Sequence, residues 1–496
     1  MRLVVIGNGM VGSRFVEDLL TRDTAGKYDI TVVGEEGCEP YNRVLLSEVV
    51  AGRHDLASLT LPTPDHPRLT VLRGTTATGL DREDRLVTTD DGTRHRYDQL
   101  VLATGASARI PPLAGLDTGS CDLPLGVHAL RTIDDSRAVV AATLNARRAV
   151  VLGAGVLGIE AASGLAQRGC AVTVVHPMEA LMERQLDGAA SRVLASVMPR
   201  AGIEPRTGTG AEAAIVADGR LTGIRLTGGE VVESELLLLA TGTVANTTLA
   251  SASGLPCERG VLVDDASTTV DPRIFAIGDC AQPPDGAMGL VVHGWEQSRA
   301  LAERLTGTTG RRRVGATGSN DVVRVKAHGL DVVTMGICGG VRPDEPTHRA
   351  LSLSDPAAGR HVEVVVADGR LVGATCVGAG PVAADLVATY TRGTPVPSDP
   401  AHLLLPALAP ASASGDGADP AGGDTTVCRC NGVTRDDIEH AHADGAREVV
   451  DVARATRATT GCGGCTQDVC DLLDRLGARH GSAGAERDLT VTGRPV

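Results

Sequence analysis

The strongest constraint on the fold is a strand–turn–helix phrase that occurs twice. In LVVIGNGMVGSRFVEDLL an apolar run ends at Gly7, and Gly9 and Gly12 follow before a helical pattern of apolar positions. This spacing predicts a buried strand, a tight turn, close backbone approach to a pyrophosphate, and a helix whose N-terminus faces the phosphates. A second strand, DITVVGEE, follows. Glu35, 23 residues beyond Gly12, can accept hydrogen bonds from both ribose hydroxyls of an adenosine. The phrase returns as AVVLGAGVLGIEAASGLAQRGCAVTVV, with Gly153, Gly155 and Gly158. Each copy later closes on a similar line, YDQLVLATG with Thr104 and Gly105, and ESELLLLATG with Gly242. The repeat predicts an α/β chain with two Rossmann-like domains and two dinucleotides in one enzyme. A duplication with one dead site is the competing reading, and the intact glycines of both copies argue against it.

A chain of 496 residues exceeds a single hydrophobic core, so three or four domains are expected. With one Trp, four Tyr and two Phe, aliphatic packing must build those cores. Lys27 and Lys326 are the only lysines, which reads as a coding bias. The net charge of −14 argues against nucleic acid, because phosphate binding needs a basic face. No apolar run reaches the roughly 18 residues that span a bilayer. The sequence opens directly on a strand, so the expected location is the cytoplasm. In that reducing compartment twelve cysteines are expected as thiols or metal ligands.

Residues 306–405 alternate strand-like runs with one helix, GPVAADLVATYTRG, and predict an α+β domain in which Cys338 and Cys376 are core residues. Residues 406–424, rich in Ala, Gly, Ser, Pro and Asp, cannot bury a core and read as a flexible linker. Beyond them stand Cys428 and Cys430, then Cys462 and Cys465 after 31 intervening residues. Four thiolates so spaced suit tetrahedral zinc or a [2Fe–2S] cluster equally well, with a redox dithiol as a third reading. Thr434, with Asp437 three residues on, predicts a capped helix after the first pair, and the second pair opens another. Cys470 falls inside that last helix and is expected to pack rather than ligate.

The two fingerprints, the two ATG phrases and TTVDPRIFAIGDCAQ at 268–282 resemble the two-dinucleotide flavoproteins, glutathione-reductase-like in fold, which include ferredoxin and rubredoxin reductases. That resemblance implies FAD on the first fingerprint and NAD(P)H on the second. It makes Gly278 and Asp279 flavin contacts beside a helix begun just after Cys280. Asn42 and Arg43, in EPYNRVLLS, match the segment that wraps the flavin, with the Arg43 guanidinium near the phosphates. Glu160 resembles the family glutamate near the nicotinamide–flavin contact. The implied domains are 1–113 with 245–305 for FAD, 114–244 for NAD(P)H, a rubredoxin-reductase-like domain at 306–405 that dimerises or caps the flavin, a small, mainly helical cluster domain at 425–482, and a tail at 483–496. No C-x-x-x-x-C dithiol stands on the helix after the first fingerprint region, and Cys38 stands alone as a loop thiol. The lysine usual in the ferredoxin-reductase LSK phrase is absent, Glu48 following Ser47.

CRCNGVT and TGCGGC resemble the bacterioferritin-associated-ferredoxin-like domain, which favours [2Fe–2S] over zinc at Cys428, Cys430, Cys462 and Cys465. VVHPMEALMERQLD, at 174–187, looks like the large subunit of NAD(P)H nitrite reductase. The siroheme region of that subunit is not in this sequence. The resemblance therefore implies an electron-transfer subunit of assimilatory nitrate reductase, with nitrate chemistry on a separate molybdenum protein, or service to a siroheme nitrite reductase. The alternatives are a rubredoxin or ferredoxin reductase with a relay cluster, and an iron–sulfur sensor or adaptor. The second unit ends at Val175 and His176 without the acid that repels a 2′-phosphate, so His176 and Arg184 would tolerate NADPH, although relatives with similar text favour NADH.

Overall fold

A computed structural model describes residues 1–116, 123–284, 286, 289–308, 322–339, 345–405, 426–428, 433–460 and 464–485. The chain forms two compact units, Met1–Ala411 and Ser412–Val496. In the first unit the run RLVVI becomes strand Arg2–Ile6, buried at every position after the first, as a strand covered on both faces must be. Helix Met10–Arg22 follows, and strand Asp29–Gly34 then pairs in parallel with Arg2–Ile6, from Arg2 opposite Asp29 to Ile6 opposite Val33. The sheet order is Ile274–Ala276, Gln99–Leu102, Arg2–Ile6, Asp29–Gly34, Leu69–Arg73. The winding thus reverses at Arg2–Ile6, the point where an open parallel sheet forms its ligand crevice.

The second copy repeats this layout with strand Arg148–Leu152, helix Val156–Gln167 and strand Ala171–His176. Its order is Ile203–Thr207, Ala171–His176, Arg148–Leu152, Leu236–Leu239, Val127–Ala129. Strands Ala106–Ala108 and Thr243–Ala245 pair antiparallel where the chain passes between the two sheets and back. The cores are aliphatic, as the composition requires, and both phenylalanines, Phe15 and Phe275, are buried on one face of the first sheet.

A five-stranded antiparallel sheet closes the unit, ordered Val323–Arg324, Val332–Gly336, Arg370–Val377, Arg360–Ala367, Arg349–Asp355. Helix Gly380–Arg392 supplies Val382, Ala383, Leu386 and Val387 to the core on one of its faces. Cys376 lies in that core, its thiol pushed up to about 12 by burial. Two expectations need correction. Cys338 is only half-buried, because it follows the strand Val332–Gly336 rather than belonging to it. The helix expected just after Cys280 begins at Val291, since Ala281 and Gln282 are taken up by a short strand paired with Val261 and Leu262.

In the second unit Thr426–Cys428 and Val433–Thr434 pair as a short antiparallel ladder, followed by helices Arg435–Ala443, Val449–Thr456 and Thr466–Ala485. Thr434 and Asp437 form a reciprocal capping box at the first of these helices. Its small core joins Cys428, Ile438, Val452, Cys465, Val469 and Leu472. The expected linker at 406–424 lies outside the described residues, as does most of the expected tail. Among the described residues no helix is long and apolar enough to cross a membrane.

Candidate functional site

The two glycine turns are built alike. Gly7 has φ +112°, and a Cβ there would stand 2.1 Å from the carbonyl oxygen of Ala103. Gly153 has φ +105°, with the Ala240 carbonyl 2.3 Å from such a Cβ. A Cβ on Gly12 or Gly158 would stand 2.0 Å from the carbonyl of Gly7 or Gly153, which is what lets each helix sit tight on its strand. The middle glycines differ: a Cβ on Gly9 or Gly155 meets nothing within 4 Å. Gly9 and Gly155 are also the N-caps of their helices, and neither helix has a side-chain cap. By contrast Thr132 and Asp187 cap the helices that follow them. Both turns therefore leave N–H donors facing open space, and both fit a dinucleotide pyrophosphate. Asn8, inside the first turn, adds a buried Nδ2 with no protein partner.

Glu35 is exposed directly after strand Asp29–Gly34, at the edge of the first crevice. Thr104 donates through Oγ1 to the Asn246 carbonyl (2.7 Å), and Asn246 Nδ2 donates to the Thr104 carbonyl (2.9 Å). The Asn246 amide N–H closes on the Gly105 carbonyl (2.9 Å), so this loop is fixed by the returning chain. Asn42 is buried and accepts the Val44 amide (3.0 Å), capping a single helical turn. The Arg43 guanidinium pairs with Glu36 and donates to the Arg131 carbonyl (3.1 Å), so its charge is already matched within the protein. Asp279, in the turn Gly278–Cys280, accepts from Arg131 Nη2 (2.7 Å), and Arg131 Nε donates to the Ala106 carbonyl (2.8 Å). Sequence reasoning missed Arg131, because 148 residues separate the pair and no pattern links them. Cys38 is exposed, and desolvation together with the Glu36 carboxylate pushes its thiol up, away from the reactive thiolate.

Around the second crevice the structure gathers residues from three segments. Glu160, on helix Val156–Gln167, is only 3% exposed. It accepts from Ser47 Oγ (2.6 Å), from the Lys326 amide (3.0 Å) and from Lys326 Nζ (2.7 Å). Glu48, standing where LSK has its lysine, is paired with Arg53, and Arg53 Nη2 donates to the Lys326 carbonyl (3.0 Å). His328 N–H donates to Ser163 Oγ one helical turn along (2.8 Å). A lysine from outside both parallel sheets thus supplies the cation that the local sequence lacks.

His176 is buried at the end of its strand. Its Nδ1 accepts the Ala154 amide (3.4 Å), which places the proton on Nε2, facing Glu183 Oε2 (3.0 Å). Glu183, from the following turn, thus places a carboxylate against the imidazole at this strand end. Arg184 is exposed beside it, and Gly242 keeps open space around it. In the second unit Cys428 and Cys465 are both buried in one small core, and Cys465 opens helix Thr466–Ala485, its carbonyl accepting the Val469 amide (3.0 Å). Cys430 and Cys462 lie outside the described residues. Two buried sulfurs on a short ladder and a helix start suit a thiolate-held cluster.

Residues 1–298 match the pyridine nucleotide-disulphide oxidoreductase family, and residues 426–475 match the BFD-like [2Fe-2S] binding domain. The chain is 32% identical over 496 residues to a nitrite reductase [NAD(P)H] of Bacillus subtilis, covering 98% of this chain and 59% of that protein. It is 32% identical over 479 residues to an assimilatory nitrate reductase electron transfer subunit of the same organism, covering 95% and 59%. The chain thus spans less than two thirds of the length of either. Among solved structures, the covalent putidaredoxin reductase–putidaredoxin complex superposes with a TM-score of 0.70 at 25% identity, over 81% of this chain and 95% of that one.

Proposed function

The chain belongs to the pyridine nucleotide-disulphide oxidoreductase family, and on that footing we propose that it is an FAD-dependent NAD(P)H oxidoreductase delivering electrons through a [2Fe–2S] domain to a separate assimilatory nitrate or nitrite reductase. The observation that carries this reading is the pairing of two open glycine cradles in one unit with buried cluster-type cysteines in the other. FAD takes electrons from a nicotinamide as a pair and releases them singly, the form a [2Fe–2S] cluster accepts. The first dinucleotide-binding region carries no C-x-x-x-x-C dithiol to divert them.

The chain's own residues bind and orient. Gly9 and its helix N-terminus take the FAD pyrophosphate, with Glu35 toward the adenosine ribose and Asp279, held by Arg131, toward the flavin side. Gly155 and its helix take the nicotinamide dinucleotide. Glu160, clamped by Ser47 and Lys326, borders the contact between the two, and Cys428, Cys430, Cys462 and Cys465 hold the cluster. Glu183, turned onto His176, favours NADH because a carboxylate there repels a 2′-phosphate. The setting is the cytoplasm.

The test is reconstitution of the purified full chain with a molybdenum-dependent nitrate reductase catalytic subunit. NADH-driven nitrate reduction should require both proteins. It should disappear in Cys465→Ser, while electron transfer to an artificial dye acceptor persists. Stoichiometric zinc without iron after anaerobic purification would reject the cluster. Failure with the nitrate reductase, together with rapid reduction of a rubredoxin or ferredoxin, would put the ferredoxin-reductase reading in its place.

A further inference from the structure

A second group of buried ionisable side chains lies where helix Gly188–Val197 packs on the antiparallel sheet. Asp187, the N-cap of that helix, faces His361 and Glu363 from strand Arg360–Ala367. One donor atom from each residue falls within 4.8 Å of the other two. His361 is 0% exposed, yet neither of its ring nitrogens has a hydrogen-bond partner, and Nε2 stands 4.0 Å from Asp187 Oδ1.

The strand period explains the juxtaposition. His361 and Glu363 are two apart and share one face, whereas Val362 and Val364 turn to the apolar core shared with helix Gly380–Arg392. In register, Glu363 opposes Thr375 and Thr375 opposes Thr334, and both threonine hydroxyls are buried without protein partners. This face of the sheet is thus polar although buried, an arrangement that cores avoid unless something completes it.

We propose that Asp187, His361 and Glu363 bind a divalent transition-metal ion, with zinc as the reference case, that ties helix Gly188–Val197 to the antiparallel sheet. One imidazole nitrogen and two carboxylates form a ligand set suited to Zn²⁺ or Mn²⁺, and the cation offsets both negative charges. Bonds of about 2.0–2.2 Å place tetrahedral ligand atoms roughly 3.3 Å apart, so the ion draws the three side chains inward by up to about 1.5 Å. The Asp187 side chain, 28% exposed, leaves the approach from solvent.

The experiment uses the full chain carrying its flavin and iron, dialysed into metal-free buffer and titrated calorimetrically with Zn²⁺. Asp187→Asn keeps an oxygen to cap the Ala190 amide, and His361→Gln removes the imidazole. The wild type should take up a single Zn²⁺ beyond its iron and gain thermal stability with it. Each variant should bind at least about tenfold more weakly, with unchanged flavin and iron content. If His361→Gln does not fold, Asp187→Asn alone decides. No zinc uptake by the wild type, or uptake unchanged in the variants, would overturn the proposal: the first outcome would mean a hydrated polar pocket only, the second a site elsewhere, such as the cysteines.

Discussion

Replacing Lys326 by methionine tests whether a distant lysine supports Glu160. Nζ stands 2.7 Å from a carboxylate that is 3% exposed, while the lysine side chain retains 20% exposure. At an effective dielectric constant of about 20 the gross attraction across that distance is roughly 6 kcal/mol. Desolvation of both groups and the ordering of a long side chain, up to ~2 kcal/mol for lysine alone, offset much of it. What remains is a charge-assisted hydrogen bond contributing about 2–3 kcal/mol. Lys326→Met leaves Glu160 with Ser47 Oγ and the residue-326 amide, two of its three donors, so the loss should lie near the low end for a broken buried pair, about 3 kcal/mol. Glu160→Gln should cost less, about 1–2 kcal/mol, because its amide oxygen can keep the bond from the residue-326 amide, its Nε2 can donate to Ser47 Oγ, and Lys326 can reach water. The double variant should then resemble Glu160→Gln, leaving a coupling energy of about 3 kcal/mol. Urea unfolding followed through flavin release and far-ultraviolet circular dichroism measures all four corners of the cycle. Additivity within about 0.5 kcal/mol, or a Lys326→Met cost under about 1 kcal/mol, would refute the pair as a supporting element.

Gly155→Ala should fold normally and retain flavin, since a Cβ there meets no protein atom, but raise KM for NADH at least about tenfold by displacing the pyrophosphate from its donors. Stopped-flow flavin reduction against NADH concentration gives the comparison. Glu183→Gln removes one charge worth about 1 kcal/mol against a 2′-phosphate a few ångströms away and should improve NADPH use relative to NADH roughly fivefold, read as the ratio of kcat/KM values. For Asp23, burial pushes the carboxyl up, but hydrogen bonds from the Lys27 and Tyr28 amides and from Arg68 outweigh it and hold the carboxyl below its usual range. Its contribution is complete above the unfolded value near ~4 and is lost as pH falls through the lowered folded value. Thermal midpoints between about pH 3 and 7 should therefore show a shallower acid-side decline in Asp23→Asn than in the wild type, from a lower starting stability.

Short-range features were legible in the sequence. A fingerprint glycine is required by contacts within its own turn and with the neighbouring strand, as at Gly7 and Gly153, so its spacing survives as text. The Thr434–Asp437 box is likewise closed within one helical turn. The helix expected after Cys280 was misplaced because Ala281 and Gln282 form strand pairs with Val261 and Leu262, whose identities nothing local specifies. Arg43 was expected to bring its guanidinium near the flavin phosphates, and nothing local in the sequence shows that the fold pairs it with Glu36.

By itself the sequence determined two dinucleotide cradles, an α+β domain and a cysteine module, because strand period, helix period and turn glycines act over a few residues. The tertiary structure decided which charges meet. Of the two lysines in the chain, both read as coding bias, one reaches across 166 residues to Glu160. Arg131 reaches Asp279, Glu183 turns back onto His176, and Asp187 comes to face His361. A charged side chain acts through space within a few ångströms, and only the packing of the sheets specifies which distant residues come that close.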